Sequence, residues 1–169
     1  MPAIYISQID IFVHPDYLIE HSPSAKLSRL PTIRELWNNR IDQLRGQPDA
    51  LMFYVSRLYA PDLERIFEPT ENLTPLELEE KSRVERIIRS LGQRSFLFDS
   101  FLPPKEQINE MLEERKITLQ NPRIFAYGEI DKACVWATGC HFQSAIGIPS
   151  ERAIFPYEPL SLSMEDVFR

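Results

Sequence analysis

Residues Arg123–Pro156 read in a fixed order. An apolar strand over Arg123–Tyr127 ends at Gly128, a helix over Asp131–Ile146 carries Cys134 in its first turn, Gly147-Ile148-Pro149 stops it, and a second strand follows over Arg152–Pro156. Two strands joined through a helix of this length pair in parallel, because a parallel partner needs a crossover of about a dozen residues or more. Such crossovers are right-handed almost without exception. This one segment therefore commits the chain to an α/β architecture.

The rest of the chain repeats the alternation. Ala3–Ile9 and Ile11–Val13 are apolar and β-branched, with Asp10 inside or just past the first strand, and His14–Leu30 is a long connection rich in serine and proline. Thr32-Ile33-Arg34-Glu35 has the pattern of a capping box. A helix is predicted from there to Arg45, with Ile33, Leu36, Trp37, Ile41 and Leu44 on its inner face. Ala50–Leu58 (ALMFYVSRL) is the near-continuous apolar run of a central parallel strand. Pro61–Phe67 reads as a short helical turn, and Thr74-Pro75-Leu76-Glu77 opens a second helix that ends at Gly92. A third strand over Ser95–Phe98, a third helix over Pro103–Arg115 and a closing turn over Ser163–Phe168 complete the reading. The predicted fold is a single domain over residues 1–169: a three-layer α/β/α sandwich, Rossmann-like, around a mainly parallel sheet of five or six strands.

Charge narrows the partners. The net charge is −6, and the basic residues Lys81, Arg83, Arg86 and Arg89 alternate with Glu79, Glu80 and Glu85, as on a solvated helix face. A nucleic-acid partner is not expected, since a phosphate backbone calls for a basic surface. A small-molecule ligand is. The two cysteines, Cys134 and Cys140, lie six residues apart on one helix and do not face each other, so no disulfide is predicted, and no zinc spacing is present. No apolar run approaches the ~18 residues of a membrane span and no leader pattern opens the chain. A cytoplasmic, reduced protein with no membrane partner and no cofactor follows as the expectation.

In parallel sheets ligands bind beyond the carboxyl ends of the strands. That rule selects Asp10, His14 and Asp16 after strand one, Arg57 and Tyr59 after strand two, Asp99 and Ser100 after strand three, and Gly128, Glu129 and Cys134 after strand four. A thiol near a helix N-terminus is favoured as thiolate, the nucleophilic form. His141 shares a helix face with Cys134 but lies ~10 Å along the axis, too far to form a dyad. Asp10, Asp16, Asp99 and Glu129 form a second set that would suit a divalent cation and phosphoester chemistry. Walker-type, dinucleotide-binding and nucleophile-elbow motifs are missing.

Gly128-Glu-Ile-Asp-Lys-Ala-Cys134-Val135-x-x-Thr138, with Ser100-Phe101 upstream and Ile9-Asp10 on the first strand, resembles the isochorismatase-like cysteine hydrolases. The resemblance implies the same α/β fold, a cysteine nucleophile at Cys134, a base at Asp10, and action on an amide or related C–N bond of a small molecule. His14, Asp99, Ser100, Gly128 and Glu129 would then line the substrate site. The family also uses a lysine just before the position of Ser100-Phe101; here Arg94 and Ser95 stand there and the next lysine is Lys105. Arginine keeps its proton and does not replace lysine in acid–base work. Two alternatives stay open beside the hydrolase: a catalytically degenerate scaffold that binds a metabolite or protein partner, and a metal-dependent phosphoesterase using the strand-end carboxylates. Family members commonly form oligomers, which makes a homo-oligomer an expectation, with Tyr54, Tyr59 and Phe67 as contact candidates.

Overall fold

Apolar residues fill both faces of the first strand from Ile9 onward, and a strand buried on both sides needs cover on both sides. The computed structural model describes residues 2–15, 30–56, 74–98, 100, 102–129 and 131–163. Within them β1 (Ile4–Val13), β2 (Ala50–Val55), β3 (Ser95–Phe98), β4 (Ile117–Gly128) and β5 (Ala153–Ile154) form one sheet in the order β3-β2-β1-β4-β5. Every pairing is parallel. Helices α1 (Leu30–Gly46), α2 (Pro75–Leu91), α3 (Lys105–Glu114) and α4 (Trp136–Ile146) complete the α/β/α sandwich. The order reverses between β1 and β4, so these two strands flank the switch point of the sheet.

Two cores lie on opposite faces of the sheet. Phe12, Met52, Tyr54 and Tyr127 pack with Ile33, Trp37, Ile41 and Leu44 of α1 and Val84, Ile87 and Leu91 of α2. Ile9, Ile11, Val13, Phe53, Phe98, Ile124 and Ala126 pack with Ile108 and Leu112 of α3 and Val135 and Phe142 near and on α4. Strand alternation makes the division: Phe12 and Val13 are neighbours in sequence and belong to different cores.

Local signals explain most boundaries. Thr74 caps α2 through a reciprocal pair: the Glu77 amide donates to its Oγ1 at 3.3 Å and its own amide donates to Glu77 Oε2 at 2.7 Å. The charges of α2 pair along the helix as Arg83–Glu80 and Arg89–Glu85. Helix α1 instead begins at Leu30, so Thr32 lies inside its first turn and does not cap it. Pro31 suits that turn, where a missing amide costs nothing. Leu36, read as inward, is 38% exposed.

Strand β4 begins at Ile117, six residues before the predicted Arg123. Its pairing with β1 slips between Ile6↔Leu119 and Gln8↔Arg123, and Asn121 adopts a left-handed φ of 51° in the slip. Tyr54, a contact candidate, is fully buried and stacks on Phe12 at 5.9 Å; its hydroxyl accepts from Arg83 at 3.1 Å. A side chain enclosed in this way offers no surface to another copy. The turn read over Pro61–Phe67, most of the His14–Leu30 connection, Tyr59, and the closing turn after Ser163 lie outside the described residues. Among the described residues no helix is long and apolar enough to cross a membrane.

Candidate functional site

At the switch point β1 and β4 end level, Val13 opposite Gly128. The Glu129 amide donates to Val13 O at 2.9 Å and the His14 amide to Val55 O at 2.8 Å, so His14, Gly128 and Glu129 are gathered at this edge. Gly128 has φ 140°, and a Cβ there would lie 2.0 Å from Val13 O. Only glycine lets the two strands close at this point. Glu129 is buried and bridges to Leu162.

Five residues on from Glu129, Cys134 sits in a π turn (Asp131–Val135) that opens α4. Its side chain is half-buried against the second core, and both cysteines are reduced. Thr138, one turn further, is fully buried and its hydroxyl has no hydrogen-bond partner among the described residues. Burial pushes the Cys140 thiol up. His141 donates from Nε2 to Pro103 O. Ser100 follows β3, two strands or about 10 Å from β1, and its Oγ accepts the Leu102 amide at 3.2 Å in a local turn. Asp16, Arg57 and Asp99 lie outside the described residues.

Asp10 is elsewhere. It stands three residues inside the end of β1, opposite Met52 and Phe125, so it does not end the strand. It is fully buried on the α1 face. Arg40 of α1 donates to Asp10 Oδ1 from Nε at 2.8 Å and pairs through Nη2 at 2.8 Å; the Tyr127 hydroxyl donates to the same oxygen at 2.7 Å; Gln8 Nε2 donates to Oδ2 at 2.6 Å. Burial and the Asp10 carboxylate hold the Tyr127 pKa well above the usual phenol value, so it remains a donor. Burial opposes the charge on Arg40, but Asp10 and Tyr127 outweigh it and its pKa is raised.

The sheet itself separates Asp10 from Cys134: one belongs to the face packed by α1, the other packs on the face of α3 and α4. Asp10 and Glu129 are also far apart, four residues or about 13 Å along the strand direction. Among the described residues no three of His, Cys, Asp and Glu come together as metal ligands. The pairing of Asp10 with Cys134, and of Asp10 with Glu129, is thus not brought about by the fold.

Two partners of Asp10, Gln8 and Arg40, line a groove of about 430 Å³ together with Leu36, Asn39, Gln43, Phe125, Tyr157, Pro159 and Leu160. Leu36, Asn39, Arg40 and Gln43 form one stripe of α1 at helical spacing. Trp37 Nε1 donates to Leu160 O at 2.7 Å and ties the far wall to that helix. The sequence reading missed Arg40, Tyr127 and the groove. One signal was present: on the stripe Ile33, Trp37, Arg40, Ile41, Leu44 a single residue is charged, and a buried strand carboxylate needs such a partner. Searches against family models, curated proteins and solved structures found no match for this chain.

Proposed function

We propose that this chain works by binding a small molecule on an α/β scaffold of isochorismatase-like build, without the aspartate–lysine–cysteine hydrolysis that the resemblance implies. One observation carries this: Asp10 and Cys134 face opposite sides of the sheet, and both Asp10 oxygens are already engaged by Arg40, Tyr127 and Gln8. A base must reach the proton it abstracts, directly or through one water. No such path exists through a packed sheet. The absence of a lysine before Ser100 points the same way.

The test is a thermal-shift screen of small metabolites run beside an assay for loss of amide, imide and ester substrates. Compounds that raise Tm without being consumed are the expected result, since a ligand bound only by the folded state stabilises it. Amide turnover that disappears in Cys134→Ser would overturn the proposal.

A second reading keeps thiol chemistry at Cys134 without Asp10. It is favoured by the thiol's place in the π turn at the head of α4, with the buried Thr138 hydroxyl one turn away. Alkylation of the native protein followed against pH by mass spectrometry separates the two. Reaction of Cys134 at neutral pH, with Cys140 protected, supports thiol chemistry; two thiols inert until unfolding remove it.

A further inference from the structure

Helix α4, WATGCHFQSAI, contains no Asp, Glu, Lys or Arg, whereas α1, α2 and α3 each carry both acids and bases. A helix that is apolar all round is normally covered all round. The sheet covers the side with Thr138, Gly139 and Phe142. Helix α3 lies along a second side, where His141 donates to Pro103 O and Asn109 Nδ2 donates to Ala145 O at 3.4 Å. The outward side carries Trp136, Cys140 and Ser144 at intervals of four residues, one above the other. Trp136 is 54% exposed, Cys140 is half-buried and Ser144 is exposed. Leu102, next to Pro103, is 44% exposed and widens the patch.

The relief of this face is complementary to itself. In helix packing a side chain of one helix enters a hole outlined by four residues of the other, at i, i+3, i+4 and i+7. Cys140, Gln143, Ser144 and Gly147 outline such a hole. A Cβ placed on Gly147 would meet nothing within 4 Å. Gln143 is drawn aside, its Nε2 donating to Ile148 O and Ser150 Oγ at 3.1 Å each. A two-fold axis crossing α4 at Cys140 pairs two copies antiparallel. It carries Trp136, about one turn before Cys140, to the level of Ser144, about one turn after it, on the other copy. One operation thus seats both indoles in both holes.

Charge selects the occupant. The chain carries a net charge of −6, so two copies approach at least cost through a face that bears no ionised group. A basic partner would be drawn instead to Glu106, Glu110, Glu113 and Glu114 of α3 and its end. Area sets the strength. A stable interface takes about 800 Å² per partner. One face of α4, about 16 Å long, together with Leu102 supplies roughly half of that. The association is therefore weak and reversible, with the buried indole as its main contributor.

We propose that the outer face of α4 is the surface through which two copies of this chain associate, antiparallel about Cys140, with Trp136 of each seated against Ser144 and Gly147 of the other. The proposal is independent of ligand binding in the groove and of thiol chemistry at Cys134.

The test is sedimentation velocity of the full chain from micromolar to near-millimolar concentration, with a short bis-maleimide as a probe of the axis. The expected result is a monomer–dimer equilibrium with a dissociation constant in the micromolar range. Trp136→Asp should weaken it at least about 30-fold, as for an aromatic hot spot. Ser144→Glu should weaken it at least about ten-fold, because it puts a charge into the hole. That variant keeps a partner in its own chain, since Lys105 Nζ already donates to Ser144 Oγ at 2.7 Å. Both positions are exposed, and the melting temperature reports that each variant is folded. Packed helices lie about 8–10 Å apart, which brings the two Cys140 thiols at the axis within the span of the linker. The linker should join the wild type and Cys134→Ser into a covalent dimer and should fail with Cys140→Ser and with Trp136→Asp. A monomer throughout the concentration range overturns the proposal. So does a dimer that both substitutions leave intact, or one linked through Cys134, because another surface then makes the contact.

Discussion

Arg40 on α1 and Asp10 on β1 are joined by two contacts of 2.8 Å to one carboxylate oxygen, across the interface between helix and sheet. The carboxylate is fully buried and the guanidinium side chain is 20% exposed. A pair of this kind gives little net stability over a well-packed apolar pair, yet breaking it is costly because one charge is left behind. Asp10→Ala is therefore expected to destabilise by about 3 kcal/mol, the low end for a buried pair, because Arg40 retains some access to water. The double variant Asp10→Leu/Arg40→Leu should recover most of that loss. Urea unfolding of Asp10→Leu, Arg40→Leu and the double variant gives the coupling directly, and additive losses would show that the two residues act independently.

Tyr127 shares the same carboxylate. Its pKa is raised in the folded state by burial and by Asp10, so the fold holds the proton that the unfolded chain gives up near pH 10. The sign follows: this contribution is complete below about pH 10 and is lost as pH climbs from there toward the folded value. Tyr127→Phe should cost about 1.5–3 kcal/mol at neutral pH, as for a hydrogen bond to a charged group. It should also flatten the fall in stability above about pH 10. Cys140, raised by burial, adds a smaller alkaline slope of the same sign that the variant leaves in place. Unfolding free energies measured across pH 8–11 in both proteins check this, and parallel curves would contradict it.

The alternation of strand and helix was legible because it rests on local signals: the apolar run of Ala50–Val55, the Thr74–Glu77 cap, and the glycines at the ends of α2 and α4. The start of β4 was not, because Gln120-Asn121-Pro122 carries the composition of a loop. The structure spends those residues on a register slip, where β4 advances from Leu119 to Arg123 while β1 moves from Ile6 to Gln8. A proline without an amide is tolerated at such a slip. His14, Gly128 and Glu129 were found from the strand-end rule because that rule depends only on where strands stop. Asp10 was misplaced by the same rule, since β1 continues to Val13. The groove was invisible because it is made by residues far apart in the chain: Gln8, one stripe of α1, Phe125 and Tyr157 meet only when the sheet order is known.

Two glycines should respond in opposite ways to the same change. Gly128→Ala places a methyl 2.0 Å from Val13 O at a φ of 140°, and the obstacle is backbone of the central strand, which cannot step aside. A loss above about 4 kcal/mol, or failure to fold, is expected, in the range of the severest single substitutions. Gly46, the last residue of α1, has nothing within 4 Å of the point where a Cβ would stand, so Gly46→Ala should be neutral or stabilising by up to about 0.5–1 kcal/mol. Thermal melts of the pair suffice. A well-folded Gly128→Ala protein would mean that β1 and β4 do not close against each other as described.

Trp37 connects the core to the groove wall. Its ring is 2% exposed between α1 and the sheet, and its Nε1 donates to Leu160 O at 2.7 Å. Leu160 ends the short turn Glu158–Leu160 that carries Pro159 and follows Tyr157, and the chain then runs to Leu162, whose amide bonds Gly128 O at 2.8 Å. Trp37→Phe keeps most of the apolar volume and removes the donor, leaving a buried carbonyl without its partner. A cost of about 1–3 kcal/mol is expected. The effect should be local as well as global: hydrogen exchange at the Leu160 and Ser161 amides should quicken more than at β1 amides such as Ile11, because the turn loses its tie to α1 while the central ladder keeps its own bonds. Equal protection changes across β1 and the 158–162 segment would instead make Trp37 a general core residue with no special hold on the groove.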